Sequence, residues 1–535
     1  MSPSLRVLPN ALVLALLAAA SLAAPASAQF YNTVQRSLDF SNEVARSPRL
    51  LGMGRLSLVI PDRDNGINLW DFAHNPIGIA YHDSSSTLDI RPGTSSADGM
   101  HDESGYSRQD LGGRGTRVGF ELFHRDDGNA FGATAALDAI SMTTPFASDE
   151  AVERSVGHPD ISPIMTGHLP YLGKDKLRYA LRMRFGGDHQ RDKYRTLTTN
   201  AAGQFLTLDG ETLNPPNVFT PDEVRVNVSS MGGLLAYPIG KSHTIAIGLD
   251  GVRELIKGSN NGFRYSGEQR ERRPYGVGQA SLLGHFGEKL EYGIDGRGCV
   301  SQSNEDWVFS ISAGVGALPL EGRGKLLSRD ERGSQLNSRV RWTSGKVELG
   351  GQLWTQASRV TIDAPNIGDY TSFNRFLDLV FYRANSDTLV RPDSVSNVRL
   401  SEYAWGYAGG GSYRLKKGVV GVEYHFGRDL QQSDRNGKGP KSIQWDVRSG
   451  LEYACTPVLT SRVGYAYRWV DRDDFTRANE YLGHTVTAGF GLRPKGTSWT
   501  VETGYAIEWL RSDFGDPSLQ RSSRQDLSMQ VHWQF

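Results

Sequence analysis

The sequence predicts an all-β fold, a transmembrane antiparallel β-barrel of about 14 to 20 strands with an N-terminal plug segment. Beyond residue 30, no apolar run approaches the roughly 18 residues that mark a membrane-spanning helix. Polar and apolar residues alternate with a period of two in many segments, and short links between these segments alternate with long ones. Because an even count is expected, the best estimate is about 16 to 18 strands.

The first 28 residues have the anatomy of a secretory signal peptide. Arg6 precedes the apolar run from Ala11 to Ala24, and the small-residue triplet Ala26-Ser27-Ala28 ends just before Gln29. The run is shorter than the roughly 20 residues of a spanning helix. We therefore expect cleavage after residue 28 and, for a barrel, a location in a Gram-negative outer membrane.

The C-terminal residues form the clearest single strand. Polar residues at 528, 530, 532 and 534 alternate with apolar residues, namely Leu527, Met529, Val531, Trp533 and Phe535. A soluble sheet with one buried face would show the same alternation. A strand that ends in a terminal phenylalanine, however, is similar to the C-terminal assembly signal of bacterial outer-membrane barrels, which implies recognition by the barrel-assembly machinery.

Charged residues recur on one face of several predicted strands. Glu502 and Glu508, for example, lie opposite Trp499 and Trp509. The charges that we expect to face the lumen are Arg178, Arg182, Arg184, Glu452, Arg462, Arg468, Glu502 and Glu508. Because both signs are present, we expect these arginines to pair with Glu452, Asp446, Glu502 and Glu508 in an ion network.

Link lengths favour a barrel over a sandwich, because short periplasmic turns and long outer loops are typical of outer-membrane barrels. The predicted long links are Gly187 to Glu223, Ser358 to Glu402, Asp471 to Gly483 and Ser512 to Arg524. Aromatic residues at strand ends, such as Trp469, Trp499, Trp509 and Trp533, fit two interfacial girdles. The resulting division is a plug at 29–85 and a barrel at 86–535, with the weakest strands near residues 86, 160 and 325.

Composition excludes several classes of protein. The 59 basic and 59 acidic residues balance, so nothing indicates nucleic-acid binding. Two cysteines are too few for a disulfide scaffold. Cys455 is expected in a periplasmic turn and Cys299 at the end of an upward strand, so the two should lie at opposite rims without a disulfide.

The N-terminal region carries two motifs instead of alternation. Leu51-Gly52-Met53-Gly54 is followed by Asn75-Pro76-Ile77-Gly78, with Asp62 and Asp64 between them. This pattern resembles the N-terminal signature of FadL-like and PorV-like outer-membrane proteins, which implies a small plug inside the barrel. The match departs at Arg55, where a second glycine is usual, and at Ile77, where alanine is usual.

The resemblance implies transport of hydrophobic or amphipathic small molecules across the outer membrane, with such a molecule as the ligand. Long-chain fatty acids and aromatic hydrocarbons are the substrate types of that family. The PorV-like members imply a different role, as shuttle or structural components of protein secretion. A diffusion porin, selective through its lumen charges, is the main alternative.

Catalysis and metal binding find little support in the sequence. Histidines are scattered, and neither Gly-x-Ser-x-Gly nor His-Glu-x-x-His stands out. The stretch from Asp62 to Gly66 looks like the start of a calcium loop, but Phe72 stands where that loop needs glutamate. We therefore expect no enzyme activity, no cofactor and no metal. The expected partners are outer-membrane lipid and lipopolysaccharide.

Overall fold

Eighteen strands form one antiparallel sheet in the computed structural model of the protein, and the first strand pairs with the last. The sheet is therefore a closed barrel, and its strand number lies within the predicted range. The structure describes residues 47–60, 86–102, 112–126, 129–147, 150–169, 177–194, 198–199, 205–206, 223–261, 265–311, 320–363, 398–433, 437–474, 477–513 and 519–534. The predicted signal peptide lies outside the described residues.

Each barrel strand pairs with its neighbours along the chain, and β5 pairs with β8. The barrel strands are β1 (Thr87–Asp102), β2 (Gly112–Asp126), β3 (Asn129–Ala147), β4 (Glu150–His168), β5 (Arg178–Tyr194), β8 (Glu223–Ile239), β9 (His243–Asn261), β10 (Tyr265–Phe286), β11 (Leu290–Ile311), β12 (Leu320–Ser344), β13 (Val347–Asp363), β14 (Val398–Leu415), β15 (Gly418–Ser433), β16 (Gly437–Ala454), β17 (Leu459–Asp474), β18 (Arg477–Leu492), β19 (Trp499–Asp513) and β20 (Leu519–Gln534). Two short strands, β6 (Thr198–Thr199) and β7 (Phe205–Leu206), pair only with each other.

The two faces of the sheet are inverted relative to a soluble protein. Large apolar side chains are exposed on the outer face, with Ile247 at 63% and Leu249 at 71% exposure. Charged side chains are buried on the inner face, among them Glu423 and Glu502. Such an arrangement is stable only when lipid surrounds the barrel, which makes this a transmembrane β-barrel.

The apolar outer face has the height of a membrane. Trp499 and Trp509 both point outward from β19 and lie ten positions apart. Ten residues span about 33 Å along a strand. A strand tilt of about 40° reduces this to about 25 Å, the height of the apolar band of outer-membrane barrels. Trp445 and Trp469 add to the girdle at the loop side, with ring centroids 5.9 Å apart.

The seam between β1 and β20 is closed by side chains as well as by the backbone. Ile90 lies opposite Val531, and Leu88 lies opposite Trp533. On the inner face, the fully buried Asp89 accepts a hydrogen bond of 2.7 Å from Gln530 Nε2. His532 Nδ1 lies 2.9 Å from the same carboxylate oxygen, so one carboxylate holds two polar residues of β20.

Several strands extend further than their alternation predicts. A long link was expected from Asp471 to Gly483, but β17 continues to Asp474 and β18 begins at Arg477. Likewise, β19 ends at Asp513 and β20 begins at Leu519. Beyond the membrane both faces of a strand meet water, so alternation fades while backbone pairing continues. The weak candidates near residues 86, 160 and 325 are strands β1, β4 and β12.

Candidate functional site

Residues 47–60, called the lumenal segment below, lie against the inner face of the barrel. The segment begins with the short helix α1 (Pro48–Gly52), where the backbone N–H of Leu50 donates to the side chain of Ser47. Proline follows the N-cap, as is common at the first helical position. No helix in the described residues is long and apolar enough to span a membrane.

Two consecutive residues with left-handed backbone follow the helix and its C-cap, Met53. Gly54 has a φ of 74° and Arg55 a φ of 64°. Gly54 adopts this conformation at no steric cost, whereas a residue with a Cβ is strained by roughly 1–2 kcal/mol. Arg55 thus has a left-handed backbone at a position where the resembled motif has glycine, and interactions of its side chain must offset the strain.

Inner-face glycines of four neighbouring strands receive the backbone of the lumenal segment. A Cβ on Gly450 would lie 2.2 Å from Met53 O, and one on Gly464 would lie 2.1 Å from Gly54 N. A Cβ on Gly504 would lie 2.3 Å from Pro48 O. A Cβ on Gly489 would lie 3.3 Å from Gly52 Cα. We call Gly450, Gly464, Gly489 and Gly504 the glycine track, since side chains there would displace the segment.

A chain of buried ion pairs fastens α1 to the wall. Arg49 donates to both oxygens of Glu452, at 2.8 and 2.9 Å. Arg462 of β17 also donates to Glu452, at 2.7 Å, and pairs with Glu502 of β19. Two arginines and two carboxylates thus alternate in charge. Such bidentate contacts fix orientation as well as supplying attraction.

Arg55 forms a second ionic attachment. Its guanidinium lies 3.2 Å from Asp526 of β20 and 3.9 Å from Glu508 of β19. Arg448 of β16 donates to the Arg55 carbonyl at 3.2 Å. Thr487 of β18 accepts from Gly54 N–H at 2.8 Å and donates to Gly52 O at 3.1 Å. These contacts hold the left-handed turn on the wall.

The end of the lumenal segment binds one buried carboxylate. Glu423 of β15 accepts hydrogen bonds from the backbone N–H groups of Ser57, Leu58 and Val59 at 2.9, 2.6 and 2.9 Å. Ser412 of β14 donates to Val59 O at 3.1 Å. Successive N–H groups that converge on one point form an anion nest, here filled by a side chain of the protein itself.

An apolar cluster lies between these polar attachments. Leu50, Met53, Leu56, Val59 and Ile60 are all buried, and Leu58 and Val419 pack against them. The side chains of Leu56 and Ile60 lie over Gly421, and Leu58 lies over Gly350 of β13. The lumenal segment thus contacts consecutive strands from β13 to β20, and it brings an apolar surface into a polar lumen.

The structure places part of the predicted plug motif in this site. Leu51, Gly52 and Met53 lie in and just after α1, and Gly54 forms the turn. Asn75, Pro76 and Gly78 lie outside the described residues. The role of the motif as a plug therefore remains a proposal, although its first half lies inside the barrel.

The predicted lumen charges belong to two separate groups. Glu452, Arg462, Glu502 and Glu508 face inward near the lumenal segment, and Arg468 lies 3.1 Å from Asp446 and 3.9 Å from Glu508. The expected partners of Arg182 and Arg184 are wrong. Arg182 pairs with Asp250, and Arg184 pairs with Asp160 at 2.7 Å. Arg178 is half-buried at the start of β5.

Glycines on the intervening strands explain why these residues pair with each other. Arg182 of β5 and Asp250 of β9 both stand opposite Gly232 of the intervening β8. A Cβ on Gly232 would lie 1.6 Å from Asp250 Oδ1, so the pair occupies the space of the missing side chain. Gly491 of β18 has the same role under the pair of Arg462 and Glu502. Alternation alone does not show which residues meet across an intermediate strand.

Sequence reasoning missed Glu423, Asp250, Asp160 and the glycine track. The inner face of β18 carried a usable signal, because every other residue is small: Gly483, Thr485, Thr487, Gly489 and Gly491. A strand face without large side chains leaves room for a second layer of chain. Glu423 gave no such signal, because an inward glutamate is ordinary in a hydrated lumen.

The predicted C-terminal signal residues lie on β20. Trp533 is exposed on the outer face, and Met529 and Val531 of the same face are half-buried. Trp533 lies opposite Trp499, and its indole N–H donates to Ser498 Oγ at 2.9 Å. Phe535 lies outside the described residues. Recognition by an assembly machinery stays a prediction.

Both cysteines are free thiols, and one of them lies elsewhere than expected. Cys455 is exposed in the short link between β16 and β17. Cys299 was expected at the end of a strand but is buried near the middle of β11. The reason is that β11 continues to Ile311, beyond the apolar band.

No family model and no curated protein matches the chain. Among solved structures, the unliganded ferric citrate transporter FecA is similar over 85% of this chain and 79% of its own, with 8% identity and a TM-score of 0.43. The toluene transporter TodX of Pseudomonas putida is similar over 91% and 98%, with 10% identity and a TM-score of 0.36. A Pseudomonas aeruginosa FadL homologue covers the same shares, with 10% identity and a TM-score of 0.33. At these values the similarities do not place the chain in a family.

Proposed function

We propose that the protein is a plugged outer-membrane barrel that transports hydrophobic or amphipathic small molecules. The observation that carries the proposal is the attachment of the lumenal segment to the inner wall from β13 to β20. A barrel of about 16 to 18 strands that holds nothing inside encloses an aqueous channel. A segment fixed there by ion pairs and backbone hydrogen bonds is suited to obstruct that channel.

The chemistry of the attachment favours a plug that moves. Arg49, Arg55 and Glu423 make directional polar contacts, and lumen water can hydrate both partners of each contact once the segment leaves the wall. The apolar cluster around Met53 and Leu56 lies beneath them. Release of the segment would expose this cluster, which would receive an apolar solute better than a polar one.

Resemblance supplies the substrate class. The motif from Leu51 to Gly54 is the feature similar to FadL-like proteins, and all four of its residues contact the glycine track. Outer-membrane location belongs to the same proposal. The exposed apolar band and the strand architecture support it.

A diffusion porin is the second candidate, and the charged inner wall favours it. Arg182 with Asp250 and Arg184 with Asp160 lie on β4, β5 and β9, away from the strands that hold the lumenal segment. If that part of the lumen is open, these charges would select among polar solutes.

Single-channel conductance in planar bilayers distinguishes the two candidates. Gly54→Val should unseat the segment, because its φ is 74° and a Cβ would lie 2.4 Å from Ser449 O. Gly496→Val is the matched control, since its φ is 73° but its Cβ would meet nothing within 4 Å. We expect Gly54→Val to open a barrel that is closed in the wild type and in the control.

Steady conductance from the intact protein, unchanged by Gly54→Val, would favour the porin. The substrate class is tested separately by uptake of oleate, toluene and maltose into proteoliposomes. We expect wild-type protein to accelerate the entry of oleate or toluene and not of maltose. Faster entry of maltose alone would contradict the proposal.

A further inference from the structure

The apolar outer face has a groove between β8 and β11. Met183, Met231, Gly251, Gly276 and Val300 are aligned in one row of strand register from β5 to β11. The two glycines lack side chains, whereas Met183, Met231 and Val300 are exposed and large. The resulting depression has a volume of about 770 Å³. This size lies within the range of small-molecule binding sites.

Three cationic side chains lie on the loop side of the groove, on the same outer face. Arg253 is two positions beyond Gly251 on β9, and Lys257 is four positions further. Arg272 of β10 lies opposite Leu255, midway between them. In the part of the chain that the structure describes, none of the three makes an ion pair or a hydrogen bond. Asp330, an acidic residue of this outer face on β12, is already paired with Arg332 at 3.4 Å.

The height of these residues matches the layers of a membrane. Gly251 lies eight positions from the start of β9 at His243, or about 20 Å above it for a strand tilted by about 40°. That position is inside the apolar band but close to its loop-side edge. Arg253, Arg272 and Lys257 rise from that edge, where lipid headgroups carry their phosphates.

We infer that this site binds a phosphorylated lipid of the loop-side leaflet, with an acyl chain in the groove and a phosphate on Arg253, Arg272 and Lys257. An apolar groove in a lipid-facing wall is filled by an acyl chain, because leaving it empty would forfeit van der Waals contacts on both sides. Guanidinium groups bind phosphate oxygens in a bidentate manner, which selects phosphate over a zwitterionic or neutral headgroup.

Native mass spectrometry of the full-length protein in detergent tests the site. The titrants are diphosphorylated lipid A, the same lipid after enzymatic dephosphorylation, and inorganic phosphate. We expect lipid A to bind at least about fivefold more tightly than its dephosphorylated form. The attraction between one cationic side chain and a lipid phosphate changes the affinity by about that factor. Inorganic phosphate should bind far more weakly, because it cannot fill the groove.

Two variants and one control make the test specific. Arg253→Gln with Arg272→Gln should weaken lipid A binding by at least tenfold, while binding of the dephosphorylated lipid changes little. Gly276→Leu should weaken binding of both lipids, because it fills the groove without a clash: a Cβ there meets nothing within 4 Å. Arg428→Gln is the matched control, since Arg428 is exposed on the outer face of β15 at the same height.

Equal binding of both lipid forms would overturn the phosphate assignment. Equal losses in the Arg428→Gln control would show non-specific charge attraction and overturn the site. Unchanged binding in Gly276→Leu would overturn the groove. The inference does not depend on the proposed transport, because lipid binding is measured without any solute crossing the barrel.

Discussion

Arg55 shows how one residue can combine strain with attachment. Its left-handed backbone costs roughly 1–2 kcal/mol compared with glycine. Its buried guanidinium meets Asp526 and Glu508, two carboxylates that would otherwise lose a partner. Asp526 also pairs with Arg524 at 3.1 Å and Glu508 with Arg468 at 3.9 Å, so Arg55 joins a network of buried charges, and its ion pairs offset the backbone strain. Residues with such strain tend to cluster at functional sites.

At the same scale, Gly232 is predicted to tolerate no side chain. In Gly232→Ala the new Cβ would occupy the position of Asp250 Oδ1 and separate Asp250 from Arg182. We expect the free energy of unfolding to fall by about 1–3 kcal/mol, measured by urea titration in phospholipid vesicles. Gly278→Ala is the control, because its Cβ meets nothing within 4 Å. Equal effects of the two substitutions would contradict the role of the gap.

The contacts of individual side chains were the feature of this structure that the sequence predicted least well. Alternation correctly indicates that Arg182 and Glu502 share the face opposite the apolar belt. It does not indicate the partners, since Arg182 reaches across β8 to Asp250 and Arg462 reaches across β18 to Glu502. These contacts depend on strand order and on a glycine between the partners, and both are properties of the assembled sheet.

Among the elements, the lumenal segment depends on its surroundings for its shape. Helix α1 has five residues, too few to be stable in water alone. Ser47, the glycine track and Glu423 supply the cap, the surface and the hydrogen-bond acceptor that it lacks. The sequence indicated the motif, but its seat on β16 to β19 could not be read from a segment without periodicity.

Glu423→Gln should loosen the end of this segment selectively. The neutral amide has one acceptor oxygen in place of a carboxylate, and hydrogen bonds to a charged acceptor are roughly twice as strong. We expect the backbone amides of Ser57, Leu58 and Val59 to exchange with deuterium about tenfold to a hundredfold faster. Hydrogen–deuterium exchange by mass spectrometry measures this directly.

Glu291→Gln serves as the control for that experiment. Glu291 pairs with Arg341 on the inner face of β11 and β12, away from the strands that hold the segment. We expect the exchange of residues 57–59 to be unchanged. If both substitutions accelerated it alike, general loosening of the barrel would be the cause and the anion nest would lose its support.

For the whole molecule, the apolar belt decides where charge is tolerated. Leu249 lies six positions above the start of β9, near the middle of the belt, and is 71% exposed. Leu249→Arg should lower the free energy of unfolding in lipid vesicles by about 2–4 kcal/mol. Leu415→Arg, at the turn end of β14, should cost about 0–1 kcal/mol. Similar costs at both positions in a urea titration would contradict the placement of the membrane.

The barrel architecture was the feature of this structure that the sequence predicted best. A two-residue period that recurs in many segments predicts a barrel, because lipid outside and water inside impose alternation on every strand. For the same reason, the loop-side ends of the strands were predicted too short. Both faces of a strand meet water there, so strands such as β17 continue without alternation. The number of strands can be estimated by counting hairpins in the sequence. The attachment of residues 47–60 to the inner wall cannot be predicted in this way, because that wall exists only in the closed barrel.

The attachment of the lumenal segment has a consequence for the order in which the chain assembles. Residues 47–60 precede every barrel strand, yet their hydrogen-bond partners follow them by 353 to 471 positions, on β14 to β20. An early-synthesised segment must therefore wait until nearly the whole chain has folded before it meets Glu423, Glu452 or Asp526. Contacts of such long range form slowly. We therefore expect the segment to reach its seat only after β14 to β20 have paired, late in the assembly of the barrel.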